Sequence, residues 1–267
     1  MTPILRNLLI CQVTNLINKA KGAHWAARGS HIQVAMNPKP AKSPCPYAHP
    51  SKYVSYVLNP DLKTGEECVA LLAAAGFDAS ANTTFDWIHD TFLILIRMFP
   101  GGCPPTTIIS SNARWDPHYH VAVGAALRPL RLDGKTLFVG TGGAVHNLYR
   151  NHWGQMLVYR DSLAQPVPPA AWAMAFRQEV EDAMKIGGGP ELRRRLTRLM
   201  KHPGFRDAHP TDDHFMPALF VAGVCGDEED RAAKGCLGVE TWELVNMCNS
   251  QFMIGEWPRM GSVVQVA

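Results

Sequence analysis

Segments rich in β-branched and aliphatic residues alternate with segments of helical periodicity along this chain, and that alternation most limits what it can fold into. Ser30–Met36 (SHIQVAM), Thr106–Ser110 (TTIIS) and Lys135–Thr141 (KTLFVGT) read as strands. Leu62–Gly76 reads as a helix, with Glu66 and Glu67 in its first turn and Gly76 as its stop. Asp86 is placed to cap a helix over Trp87–Phe99, whose apolar face is Ile88, Phe92, Leu95 and Phe99. Further helices are predicted over Asp116–Leu130, Ala170–Met184 and Pro190–Lys201, and over Asp212–Val224 with Thr211 as its cap. Strands and helices that alternate over the whole length predict an α/β fold, with a central mixed β-sheet flanked by helices. No internal repeat, low-complexity tract or composition break divides the chain, so a single domain over 1–267 is expected.

Composition narrows the function classes. The chain has 267 residues, 46% of them hydrophobic, enough for a sizeable core; only 18% are charged, which excludes a disordered, solvated chain. A formal charge of +3 over this length gives no electrostatic basis for a nucleic-acid or membrane partner. The basic run Arg193, Arg194, Arg195, Arg198 and Lys201 reads as the solvated face of an amphipathic helix rather than a polyanion site. The apolar patch Leu8–Cys11 lacks the marks of a signal peptide, and no apolar stretch reaches the length of a membrane span. Seven cysteines with no C-x-x-C pair argue against a disulfide framework and for a reducing, cytoplasmic setting. H-E-x-x-H, G-x-S-x-G, P-loop and dinucleotide fingerprints are all absent.

Histidine is the residue to follow, with 11 in the chain. His146 lies in GTGGAVHNL just past a predicted strand, where glycines permit tight or left-handed backbone and where ligand sites of α/β sheets gather; it could equally cap a helix. His214, in HPTDDHFMPALF, falls in a first helical turn whose positive end favours neutral imidazole, although two aspartates pull the other way; solvent exposure is the plainer reading. His209, before Pro210, reads as a turn residue. His24 (GAHWAARG) and His89 (FDWIHDTF) stand beside aromatic residues, where a satisfied buried polar group is the ordinary role. His118 and His120, two apart on a helix, point to different faces and do not suit one ion.

Taken in order, GAHWAARG, FDWIHDTFLILIRMFP, DPHYHVAVGAALRPLR, FVGTGGAVHNL and HPTDDHFMPALFVAG resemble the class III extradiol ring-cleaving dioxygenases, in the branch of DOPA 4,5-dioxygenase-like proteins. The resemblance implies a non-haem metal, Fe(II) or Zn(II), and O2 as co-substrate for opening a catechol-type aromatic diol. By motif match it implies His24 and His214 as metal ligands, His146 as the acid/base group and His89 as a group bordering the substrate. The family's first metal histidine lies upstream of the A-H-W motif, and none of the 23 residues before His24 is histidine. The N-terminal strand and first ligand turn are therefore expected to be missing. A family member without ring-cleavage activity, acting as a redox-neutral acid/base catalyst or a small-molecule binding protein, is the alternative. Tyr47, Trp153 and Tyr159 are candidates for stacking on an aromatic ring.

Overall fold

The computed structural model describes residues 7–11, 25–45, 48–132, 136–227, 230 and 233–255, with 7–11 and 132 described by backbone alone. These residues form two compact units, each discontinuous in sequence. The first holds the residues up to Arg114 together with Ala125–Thr141; the second holds Trp115–Gly124 and those from Gly142 onward. A division in which the chain leaves and re-enters each unit has no single linker, so no change of composition marks it.

In chain order the first unit contains β1 (Asn7–Cys11), β2 (Ala26–Ala27), β3 (His31–Ala35), helix α1 (Leu62–Ala74), β4 (Asp78–Asn82), helix α2 (His89–Met98), β5 (Thr106–Ile109) and β6 (Ser111–Asn112). The strand β7 (Thr136–Gly140) completes it. Five of these strands make one sheet in the order β4-β3-β5-β1-β7, and β2 pairs separately with β6. The pairs β3–β4, β5–β1 and β1–β7 are parallel, whereas β3 meets β5 antiparallel at Val34 and Ile109. The sheet is mixed and helices accompany it, so the α/β expectation holds.

One expectation about this sheet is corrected. The N-terminal strand is present: Leu8, Leu9 and Ile10 lie opposite Thr106, Thr107 and Ile108 on one side and Leu137, Phe138 and Val139 on the other. A short strand between two partners needs no polar alternation, so it leaves only an apolar patch in the sequence. Residues 12–24, where the first ligand turn was sought, lie outside the described residues.

The core of this unit follows the predicted periodicities. Ile32 and Val34 alternate inward on β3, and all four residues of β5 are buried. Phe92 and Leu95 of α2 pack with Trp25, Tyr53, Trp87 and Ile108. Helix α1 starts earlier than the acids suggest: Asp61 caps it, accepting from the Thr64 N–H at 3.0 Å and the Thr64 hydroxyl at 2.7 Å. Glu66 and Glu67 thus fall beyond the first turn, while Gly76 closes the helix end at φ +85°. Asp86 does not cap α2. Its Oδ1 instead accepts from the Ala41 N–H at 2.8 Å and the Asn37 amide at 3.3 Å, tying down the proline-rich connection. Strand β4 (DASAN) lacks β-branched residues and carries no strand signal of its own. Its pairing with β3 holds it, together with contacts from His31 to Ser80 and Asp78.

Helix α3 (Pro117–Leu127) is divided between the units after Gly124, and α4 (Pro129–Leu132) belongs to the first. The second unit continues with α5 (Gly154–Val158), α6 (Ala171–Lys185), α7 (Pro190–Leu199), α8 (Phe205–Ala208), α9 (Met216–Val224) and the hairpin β8 (Gly235–Glu243) and β9 (Met247–Ile254). Helix α7 is amphipathic, as its sequence predicts: Leu192, Leu196 and Leu199 are buried, while Arg194 and Arg195 pair with Glu191. The hairpin escapes prediction because its turn lacks an Asn-Gly signal. Leu244 and Val245 adopt φ of +49° and +70° there, a conformation disfavoured for them that is held by their burial. Among the described residues no helix is long and apolar enough to cross a membrane.

Candidate active site

The second unit brings two of the four singled-out histidines together. His146 sits in the turn Gly142–Asn147, which directly follows β7 in the chain; His214 sits in a 3-10 turn, Asp213–Phe215, that leads into α9. Their imidazoles are stacked, with centroids 3.6 Å apart and planes inclined by 8°.

Backbone bonds fix the first turn from two sides. The N–H groups of Ala144 and Val145 donate to the Cys248 carbonyl, and the Cys248 N–H returns a bond to Val145. On the other side the Gly143 N–H faces the His214 carbonyl at 3.4 Å, and the His146 N–H donates to the Ala208 carbonyl at 2.9 Å. Asn147, also buried, donates from Nδ2 to the Asp207 carbonyl at 2.7 Å while its Oδ1 caps the next turn. The reason for glycine in GTGG differs from the one expected. Neither Gly142 nor Gly143 is left-handed; a Cβ on Gly142 would stand 2.3 Å from the His214 carbonyl oxygen. The site needs close approach rather than unusual backbone.

His214 is buried, so it does not merely face solvent. Its Nδ1 lies 3.2 Å from Oδ2 of Asp213, a carboxylate that is itself buried and accepts from the Thr211 hydroxyl at 2.6 Å. Thr211 therefore serves the carboxylate and is not the cap of α9. The neighbouring Asp212 points elsewhere, pairing with Arg206. Nothing in the run TDDH distinguishes the two aspartates before the chain folds. His209 is likewise no surface turn residue: it is completely buried among Phe176, Phe205 and Phe215, and its Nε2 donates to the Ala144 carbonyl at 3.0 Å.

Burial drives the His146 imidazole well below the ordinary histidine pKa; repulsion from His214 and His209 adds to this and attraction to Asp213 opposes it. Burial likewise pushes His209 down to about 3. His146 is thus a neutral imidazole at neutral pH, able to take a proton and strongly inclined to return it.

The stacked geometry also bears on metal binding. A metal is bound in the plane of an imidazole at about 2.1 Å from nitrogen. Parallel rings 3.6 Å apart have no common in-plane point, so His146 and His214 as placed do not share one ion. Among the described residues no group of three histidine, cysteine, aspartate or glutamate side chains is arranged to hold a metal. His24 and Tyr47 lie outside the described residues. His89 is the first residue of α2, in the first unit, and is partly buried. Trp153 and Tyr159 are exposed.

Fold and site together define an α/β protein whose second unit presents a neutral histidine against a second, carboxylate-flanked one. A profile described as the catalytic LigB subunit of aromatic ring-opening dioxygenase matches residues 22–247. The chain belongs to this family of class III extradiol dioxygenases and is DOPA dioxygenase-like. It is 32% identical over 183 residues to a 4,5-DOPA dioxygenase extradiol of Portulaca grandiflora, which covers 68% of this chain and 60% of that relative. It is 26% identical over 207 residues to the 4,5-DOPA dioxygenase extradiol of Escherichia coli K12, covering 78% and 72%. The dioxygenase tasH of Hapsidospora irregularis is 28% identical over 211 residues, covering 78% of this chain and 63% of tasH. In fold the chain is similar to the uncharacterized protein JW3007 from Escherichia coli K12, with a TM-score of 0.67, 21% identity, and coverage of 95% of this chain and 87% of that one.

Proposed function

We propose that this chain is a non-haem metal-dependent extradiol dioxygenase that opens a catechol-type ring beside its two hydroxyls. The observation that carries the reading is the stack of His146 on His214 within the stretch matched to the ring-opening family. Both atoms of O2 enter the opened product, so the reaction needs no external reductant. His146, neutral and inclined to return a proton, accepts one from a diol hydroxyl and gives it back as the ring opens. The Asp213 carboxylate, with Oδ2 3.2 Å from Nδ1 of His214, favours a proton on that nitrogen and so leaves the Nε2 lone pair for a ligand. The reading includes Fe(II) or Zn(II), with His24 and His214 among its ligands; the described residues by themselves do not compose that metal site. His89 is proposed to contact the substrate. The cysteine usage of the sequence, seven residues with no C-x-x-C pair, supports a reducing, cytoplasmic setting.

Oxygen uptake with catechol and DOPA as substrates, alongside metal analysis of the purified chain, tests the reading. Uptake with bound iron or zinc is the expected result. A cooperatively folding protein with neither metal nor uptake overturns it. That outcome favours the second reading, a redox-neutral acid/base catalyst or small-molecule binding protein.

A further inference from the structure

The wall behind the stacked pair contains a third imidazole that the proposed chemistry does not use. His209 has no exposed surface; its ring stacks on Phe205 at 5.3 Å and meets Phe176 and Phe215 edge-on at 5.7 and 5.3 Å. Its Nε2 stands 3.0 Å from the Ala144 carbonyl. A carbonyl only accepts, so the proton is on Nε2, and Nδ1 is left with a lone pair that has no hydrogen-bond partner among the described residues. Burying an unpaired ring nitrogen in an aromatic cage is unfavourable. A phenylalanine would fill the same cage without that cost. What it would lack is the N–H on Ala144.

Ala144 is two residues from His146, in the turn that approaches the segment 207–214. Three bonds between the two run from the turn: Gly143 N–H to His214, His146 N–H to Ala208, and the Asn147 amide to Asp207. In the fourth the segment is the donor, through His209. We infer that His209 is a positioning residue, whose Nε2–H holds the Ala144 carbonyl and thereby sets the turn that presents His146 to His214. The inference rests on the reading of His146 as the acid/base group. It concerns the geometry of the pair, which is measurable without turnover.

Two variants of the full chain separate the hydrogen bond from the packing. His209→Gln keeps an N–H donor and loses the ring; His209→Phe keeps a ring and loses the donor. The readout is the upfield ring-current shift that stacking imposes on the imidazole protons of His146 and His214, with a thermal melt reporting the fold of each variant. The expected result is that Gln retains the shifted signals and Phe loses them. Retention in Phe, or loss in both, overturns the inference, because packing or the ring itself is then what matters. In the unaltered chain a long-range proton–nitrogen spectrum must show His209 protonated on Nε2. Protonation on Nδ1 overturns the inference whether or not the variants fold. If the chain turns over a catechol, His209→Phe lowers kcat about tenfold or more while KM stays within about twofold. An inactive chain with a normal stack refutes the dioxygenase reading and leaves this one standing.

Discussion

Two neighbouring stretches of the second unit differ sharply in how they are held. Gly142–Asn147 is stitched by backbone bonds to Cys248 on one side and to residues 208–214 on the other, and a Cβ at Gly142 has no room. The stretch that follows, Tyr149–Val167, presents apolar side chains to solvent. Leu157 is 86% exposed, Val158 72% and Tyr149 71%. The first stretch has its hydrogen bonds made and its volume filled, so a change there is transmitted to the histidine pair. The second has little buried packing to lose. Proximity in sequence to a site thus says little about energetic coupling to it; what counts is how much of the surroundings must move.

The largest test of that contrast is His146→Phe, which keeps a flat ring against His214 and removes the proton acceptor. Turnover of a catechol is expected to fall about 100-fold or more with the melting temperature nearly unchanged, as read by oxygen uptake and a thermal melt.

Acid should act on the same region. Below pH 6.5 the unfolded chain protonates His209, whereas the folded chain keeps it neutral until about pH 3. The unfolded state therefore binds more protons in this window, and stability falls as pH drops through it. Above pH 6.5 both states are neutral at this residue and it contributes no slope. The loss is about 1.4 kcal/mol per pH unit for this one group, roughly 2 kcal/mol at pH 5. Urea unfolding at pH 7 and 5 measures it; equal stability at both would show that His209 is not held neutral.

Gly142→Ala forces a methyl against the His214 carbonyl and should cost about 1–3 kcal/mol, with the stacking shift of the imidazole protons lost as well. The smallest effect is expected for Leu157→Ser, within about 0.5 kcal/mol by urea unfolding. A loss well beyond that would show the exposed stretch to be covered in solution, and the contrast would fail.

The first unit was the more legible. Strands with β-branched residues on a buried face, such as His31–Ala35 and Thr106–Ile109, declare themselves by local pattern. So does a helix whose face recurs at Phe92 and Leu95. The strands that escape notice, Asn7–Cys11 and Asp78–Asn82, take their conformation from the partners beside them. Caps are misread for a related reason. Asp86 and Thr211 each have the right side chain in the right place, but each finds a closer partner across a loop or two residues along.

The candidate site divides in the same way. Sequence pattern alone was enough for the α/β class and for the amphipathic character of α7, because these rest on residue type and short-range spacing; for His146 and His214 it left structural or surface roles open, and only the family resemblance singled them out. That the two imidazoles stack, that Asp213 rather than Asp212 stands beside His214, and that His209 is buried against Ala144 were decided only by tertiary structure. Each depends on which groups from distant parts of the chain lose their water together, and burial sets both their pKa values and their partners.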